Sequence, residues 1–230
     1  MFSLKDPKTQ EEPLRTSESL PGDVIVSPDT RRAQRVPPGQ SRTRKWPVLD
    51  ASGAPDVAIE RWKFSLSGKV GHPVEWNWEE FQKLARVKVF SDFHCVTRWS
   101  RLGNLWEGIA TRELIERAGG ALPDAHYALA YGYDGGWTTN MPLEDFLAGD
   151  ALVAFLHDGE PIPAEHGGPA RLIVPRLYAW KSAKWVAGVA LLDRDQAGFW
   201  GAQRVPHARR SMAVRAVWVV RSQRYLKKSS

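Results

Sequence analysis

Apolar and polar positions alternate in short bursts along this chain, and the bursts change period from one to the next. Arg61-Trp-Lys-Phe-Ser-Leu-Ser repeats every two residues up to Gly68, which predicts a strand, and Gly71-His72-Pro73 predicts the turn after it. Apolar residues at 78, 81 and 84 predict a short helix over Trp78 to Leu84, and Val87 to Phe93 reads as a strand leading into His94-Cys95. Thr111 to Ala118 is a predicted helix with Thr111 as its cap, Leu114 and Ile115 facing inward, and Gly119-Gly120 ending it.

Further on, Tyr127 to Tyr131 is a predicted strand, Asp134-Gly135-Gly136 a turn, and Leu143 to Leu147 a brief helix. Ala151 to Leu156, Arg171 to Val174 and Lys184 to Leu192 read as buried strands. Short strands mixed with short helices predict an α+β domain of mixed sheets rather than a doubly wound one. Residues 1–45 are polar with scattered proline and are expected to form an extended, partly disordered arm. The compact domain is expected over 46–203, followed by an atypical basic tail over 204–230.

Composition and charge adjust this picture in four places. Eleven tryptophans are many for 230 residues and suggest an enclosed core with polar fixtures. The single cysteine excludes an internal disulfide and suits a reducing cytoplasm. No apolar leader or long apolar run is present in the sequence, so neither export nor a membrane span is expected. Net charge is +6, yet Gly201 to Ser230 holds eight Arg or Lys and no Asp or Glu, so the remainder is slightly acidic. A basic tail can bind nucleic acid, but no aromatic or helical recognition pattern accompanies it, and nucleic acid is not expected as a partner.

Candidate chemistry concentrates in two segments. Cys95 sits where a strand turns, in Asp92-Phe-His-Cys-Val-Thr-Arg-Trp-Ser, with His94, Arg98 and Arg101 nearby in sequence. Cationic neighbours lower a thiol's pKa, and the thiolate both attacks and binds metal. The residues alone leave three readings open: an inert buried thiol, a metal ligand, or a hydrolase nucleophile served by one of the histidines. A conventional zinc site is not expected, since no Cys-x-x-Cys or His-x-x-x-His spacing exists. The second segment runs from His166-Gly-Gly-Pro through Arg171, Arg176 and Lys181 to Lys184-Trp185, with Ser182 among the cations. It reads as a cleft-lining loop suited to a phosphate and a polar heterocycle, its glycines allowing close backbone approach to a ligand. A third stretch, Trp137-Thr-Thr-Asn-Met-Pro-Leu-Glu-Asp145, alone reads as a turn that caps a helix.

These three stretches, in order and with ordinary spacing, resemble the molybdopterin-binding domain of the sulfite oxidase family. The likeness is greatest to its small bacterial cytosolic branch, relatives of the protein-methionine-sulfoxide reductase catalytic subunit, and runs from about Arg35 to Phe199. The resemblance implies a molybdenum oxidoreductase with Mo-molybdopterin as cofactor and Cys95 as the metal-binding thiolate. It implies that His166, Arg171 and the stretch Ser182-Ala183-Lys184 hold the pterin and its phosphate. His94 beside the ligand, Arg35 in Arg-Val-Pro-Pro-Gly-Gln, and Asp134 and Thr138 on the variable loop are carried over as further cofactor contacts. Arg98 is the candidate for attracting an anionic or oxo-bearing substrate, with a structural ion pair as its alternative.

The implied chemistry is oxygen-atom transfer to or from a small oxo-anion or sulfoxide-like substrate, with an electron-transfer partner still to be identified. The alternatives are a non-catalytic pterin- or anion-binding member of the fold, and a cysteine hydrolase. The branch is expected to continue Gly-Phe-Trp into Gly-Tyr-His-x-x-Gly-Asp-Pro-Trp, whereas Arg204-Val-Pro-His-Ala-Arg-Arg-Ser-Met-Ala follows here. One coding string for those residues, CGGGTACCACACGCGCGGCGATCCATGGCG, reads Gly-Tyr-His-Thr-Arg-Gly-Asp-Pro-Trp when shifted by one nucleotide. A frameshifted tail from about Arg204 is therefore expected, with a divergent terminal strand as the alternative.

Overall fold

The computed structural model describes residues 15–49 and 53–199. The tail from Trp200 onward, and with it the frameshift reading, lies outside them. The first described strand is unexpected. Val24–Val26 (β1) runs parallel to Arg86–His94 (β5) in a larger sheet, inside the stretch read as a loose arm. Ser41–Arg42 (β2) then pairs in parallel with the start of Trp99–Ala110 (β6). Between them Ser27, Asp29 and Arg35 are buried, so this part of the arm is extended but bound along its length.

Lys63–Gly68 (β3) shows why period two was legible: Phe64 and Leu66 are buried while Lys63 and Ser65 point away from the core. It pairs antiparallel with Val74–Asn77 (β4), and Trp78–Gln82 (α1) follows directly. Asn77 accepts from the Glu80 N–H while the Glu80 carboxylate accepts from the Asn77 N–H, a reciprocal cap that fixes where α1 starts. Thr111–Arg117 (α2) is differently begun. Ala110 occupies its N-cap, and Thr111 is buried with its hydroxyl donating to the carbonyls of Phe146 and Ala151 instead of capping.

Tyr127–Gly132 (β7) and Thr138–Pro142 (β8) form a hairpin, so most of the stretch read as a capping turn is a strand; Leu143–Phe146 (α3) follows it. Leu152–His157 (β9), Glu160–Pro161 (β10), Arg171–Ile173 (β11) and Val186–Leu192 (β12) complete the elements. The larger sheet runs β1-β5-β6-β9-β10, with β2 also on β6 and β11 also on β9; the smaller runs β4-β3-β12-β7-β8. Mixed sheets with few, short helices make this an α+β fold.

The main core lies between the two sheets. Phe64, Leu66, Val189 and Leu191 from the smaller sheet meet Ile109, Val153, Phe155 and Leu172 from the larger. Alternation along the larger sheet's strands sends Leu152, Ala154 and Ile173 to its other face, where they join Val89, Phe93, Cys95, Trp99 and Trp106. That second face carries the site.

Candidate functional site

Cys95 is placed by a tight turn. β5 ends at His94, the Cys95 N–H donates to Trp99 O at 2.9 Å, and the Arg98 N–H donates back to Cys95 O at 3.1 Å. Arg98 takes a left-handed φ of 73° to close it. The side chain of Gln40 spans the turn, donating to Cys95 O at 3.2 Å and accepting from the Ser100 hydroxyl. The sulfur lies 3.2 Å from the Thr97 hydroxyl, and Cys95 is 7% exposed.

The thiol's surroundings correct the sequence reading. Burial raises the Cys95 pKa and outweighs the Thr97 hydrogen bond. The expected cations face elsewhere: Arg98 is exposed outside the cavity, His94 is fully buried against Ser100 at 2.9 Å, and Arg101 contacts Asn104, His157 and Asp158. A hydrolase nucleophile needs a lowered pKa. Burial acts in the opposite direction on this thiol, and a metal cation at the sulfur would favour the thiolate.

Cys95 opens on a cavity of about 390 Å³. Phe93, Cys95, Val96, Thr97 and Trp99 line it from the turn, Trp46, Pro47 and Leu49 from the N-terminal segment, and Asp134 and Trp137 from the β7–β8 connection. His166, Arg171, Ala179, Trp180, Ser182, Lys184 and Trp185 supply the remaining wall. Five of the eleven tryptophans thus line one cavity, a placement the composition alone could not give.

Arg171 dominates the electrostatics. It is 2% exposed; its Nη1 donates to His166 O at 2.6 Å and its Nη2 to Ser182 O at 3.1 Å. Its buried Nε–H has no acceptor, and no carboxylate among the described residues pairs with it. Burial pushes its pKa down to about 9. A desolvated guanidinium without an anion is costly, so the cavity is built to receive one. Lys184 stands nearby, donating to Glu165 O at 2.8 Å across the face of Trp185. His166 is half-buried, and burial, followed by Arg171, depresses its pKa to about 4, leaving a neutral ring.

The loop bearing these groups is shaped by its glycines, though not for the expected reason. Gly167 has φ of 102° after the short turn Ala164–His166, and a Cβ there would sit 2.8 Å from the Lys184 side chain. A Cβ at Gly168 would collide with the Ile162 carbonyl. Both glycines therefore admit the protein's own chain rather than a ligand.

Of the residues singled out in the sequence, Cys95, Asp134, His166, Arg171, Ser182 and Lys184 line the cavity. Ala183 is buried behind it, accepting from the Leu172 N–H at 2.8 Å, and Thr138 begins β8 just past the lining residue Trp137. His94 and Arg98 do not line it. Neither does Arg35, which is 6% exposed and grips Asp92 through two hydrogen bonds of 2.6 and 2.9 Å. Asp92 also accepts from the Gly103 N–H at 2.9 Å, holding the β5–β6 pairing where its register shifts. Arg35 is thus engaged with the sheet beneath the thiol turn.

A model of the family described as oxidoreductase molybdopterin-binding domain matches residues 51–200. The chain belongs to that family. The uncharacterized oxidoreductase YuiH of Bacillus subtilis (strain 168) is 41% identical over 167 residues, covering 72% of this chain and 83% of that protein. The protein-methionine-sulfoxide reductase catalytic subunit MsrP of Ralstonia nicotianae is 26% identical over 153 residues, and the match spans 60% of this chain but only 46% of that protein. Among solved structures, the sulfane dehydrogenase SoxCD of Paracoccus pantotrophus superposes with a TM-score of 0.57 at 23% identity, covering 62% of this chain and 41% of that one. The fold is therefore of the sulfite-oxidase type, related to that of MsrP, and the cofactor is Mo-molybdopterin.

The donor set fits that molybdopterin. Among the described residues no group of three or more His, Cys, Asp or Glu could hold a metal ion, and Cys95 is the thiol that lines the cavity. The buried charge of Arg171, without a carboxylate partner among the described residues, would suit the cofactor's phosphate. No helix among the described residues is long and apolar enough to cross a membrane.

Proposed function

We propose that this oxidoreductase is a cytoplasmic, sulfite-oxidase-type enzyme that removes an oxygen atom from a small sulfoxide-like substrate. Cys95 is its metal-binding thiolate. The observation that carries the reading is the shared cavity: the chain's single sulfhydryl opens on the same space as a buried arginine that has no carboxylate partner among the described residues. The bound molybdenum centre supplies two-electron oxygen-atom transfer.

The chain's own residues bind and orient. Arg171 and Lys184 would hold the phosphate, Ser182, Asp134 and the neutral His166 would face the pterin, and the Thr97 hydroxyl would orient the sulfur. Aromatic walls, with Phe93, Trp99 and Trp180 among them, would exclude water where the substrate enters. Overall, a sulfoxide takes up an electron pair and a pair of protons; its S–O bond breaks, and a sulfide and a water molecule leave. The electrons come from a separate carrier.

Two features favour a sulfoxide over an oxo-anion. The walls are mainly apolar, and Arg98, the expected anion-attracting residue, is exposed outside the cavity. The activity for which MsrP is named points the same way. A dye-linked assay on protein from a molybdenum-replete host tests the choice. Reduced viologen should be oxidised by methionine sulfoxide or dimethyl sulfoxide at least about tenfold faster than ferricyanide is reduced by sulfite. The reverse ranking overturns the sulfoxide assignment.

A further inference from the structure

The N-terminal segment Gln40 to Leu49 crosses the cavity. Its beginning is fixed to the thiol turn: Ser41 N–H donates to Arg98 O at 3.0 Å, and Thr43 N–H to Ser100 O at 2.9 Å. Further along, Pro47 and Leu49 line the cavity, and between these two stretches stands Trp46.

Its indole fits into a socket contributed by four separate parts of the chain. The ring lies parallel to His166, with centroids 3.9 Å apart and planes within 7°. It meets Trp106 of β6 edge-on at 5.4 Å, Phe93 of β5 at 6.4 Å and His157 of β9 at 4.6 Å. The guanidinium carbons of Arg171 and Arg101 lie 5.5 and 5.8 Å from the ring centre. Tryptophan gives the strongest such cation contacts, and its flat face matches a neutral imidazole. His166 and Arg171, two of the side chains proposed to hold the cofactor, are therefore also among those that hold Trp46.

The geometry points to Trp46 as a clasp that retains the cofactor, closing the Gln40–Leu49 strap over the cavity by stacking on His166 beside Arg171. This rests on the assignment of the cavity to molybdopterin. A cofactor seated there leaves only when the indole quits its socket, so the residue acts on retention and positioning and takes no part in the chemistry. One side chain joins the strap to β5, β6, β9 and the pterin-facing loop. Replacing it should thus loosen the strap without dismantling either sheet.

The test uses full-length holoprotein from a cofactor-producing host. The protein is desalted at intervals, and the retained pterin is measured by fluorescence after oxidative release. Trp46→Ala should lose cofactor at least about tenfold faster than wild type, while Trp46→Phe, which keeps an aromatic face, should stay within about threefold. Trp46→Leu separates a clasp from a space-filling role and stands in if the alanine variant folds poorly. Loss from the leucine variant as fast as from alanine supports stacking. Retention by leucine equal to wild type overturns it, as does wild-type retention by alanine. Wild-type protein that folds but carries no pterin overturns the cavity assignment, and the clasp with it.

Discussion

The two faces of the larger sheet are both apolar, yet they are finished differently. Toward the smaller sheet, Ile109, Val153, Phe155 and Leu172 meet Phe64, Leu66, Val189 and Leu191 in a cluster of apolar side chains. On the opposite face Phe93, Trp106 and Ile173 share their layer with Cys95 and with Arg171, whose side chain lies across Phe93 and Trp46. The first face is closed by protein alone. The second holds a charge that nothing in the described chain neutralises, which is the signature of a surface completed by a ligand.

Removing the sulfur should draw the sharpest line between them. Cys95→Ser should fold with a melting temperature close to that of wild-type apoprotein, bind essentially no molybdenum and lose turnover by more than about a hundredfold. Metal analysis per chain checks this, and full metal content in the serine variant would remove Cys95 from the centre.

Next comes a paired substitution, one on each face. Phe64→Ala opens a void in the inter-sheet core and should destabilise the apoprotein by about 3–5 kcal/mol in urea unfolding. Arg171→Met removes an unmatched buried cation and keeps much of its volume, so it should cost far less, or stabilise, while abolishing pterin retention. If Arg171→Met destabilises the apoprotein as much as Phe64→Ala does, the cavity is not waiting for an anion.

The same contrast explains what could be read in advance. β3 was legible because one face is solvated, so Lys63 and Ser65 punctuate Phe64 and Leu66. β6, the longest strand, was missed. It has neighbours on both edges and buried residues on both faces, and Gly103 and Gly108 interrupt what pattern remains. The stretches around Cys95 and from His166 to Trp185 were found because their unusual residues are close together in sequence. Trp46 was not, because His157, His166 and Trp106 come to it from distant strands and loops. The pairing of Arg35 was not legible, since its partner Asp92 is 57 positions away.

Arg35 therefore offers a finer test of where the ligand-completed face ends. Its pair with Asp92 is buried on both sides, 6% and 0% exposed. Arg35→Met leaves a buried carboxylate with only the Gly103 N–H, and should cost about 3–4 kcal/mol. Adding Asp92→Asn should return part of that loss. Pterin content per folded chain should change little in either variant. Loss of pterin with unchanged stability would instead put Arg35 among the cofactor contacts.

The smallest effect concerns the two histidines that pack on Trp46. Burial first, then Arg101, depresses the His157 pKa to about 4, and burial, then Arg171, does the same to His166. Both are neutral in the folded chain at neutral pH and would regain a value near 6.5 on unfolding. Between about pH 6.5 and 4 the unfolded chain binds more protons than the folded one, so the stability fully present above 6.5 is lost as pH falls toward 4. His157, whose side chain is 10% exposed, contributes up to about 3 kcal/mol, and half-buried His166 less because solvent screens it. Unfolding midpoints of the apoprotein measured across that window should fall with acid, and His157→Gln should flatten the slope more than His166→Gln. Phe64→Ala, on the protein-closed face, should lower the whole curve and leave its slope unchanged. An equal slope in His157→Gln and wild type would mean that the second face does not hold its imidazoles neutral, and that the packing around Trp46 is looser than its ring contacts imply.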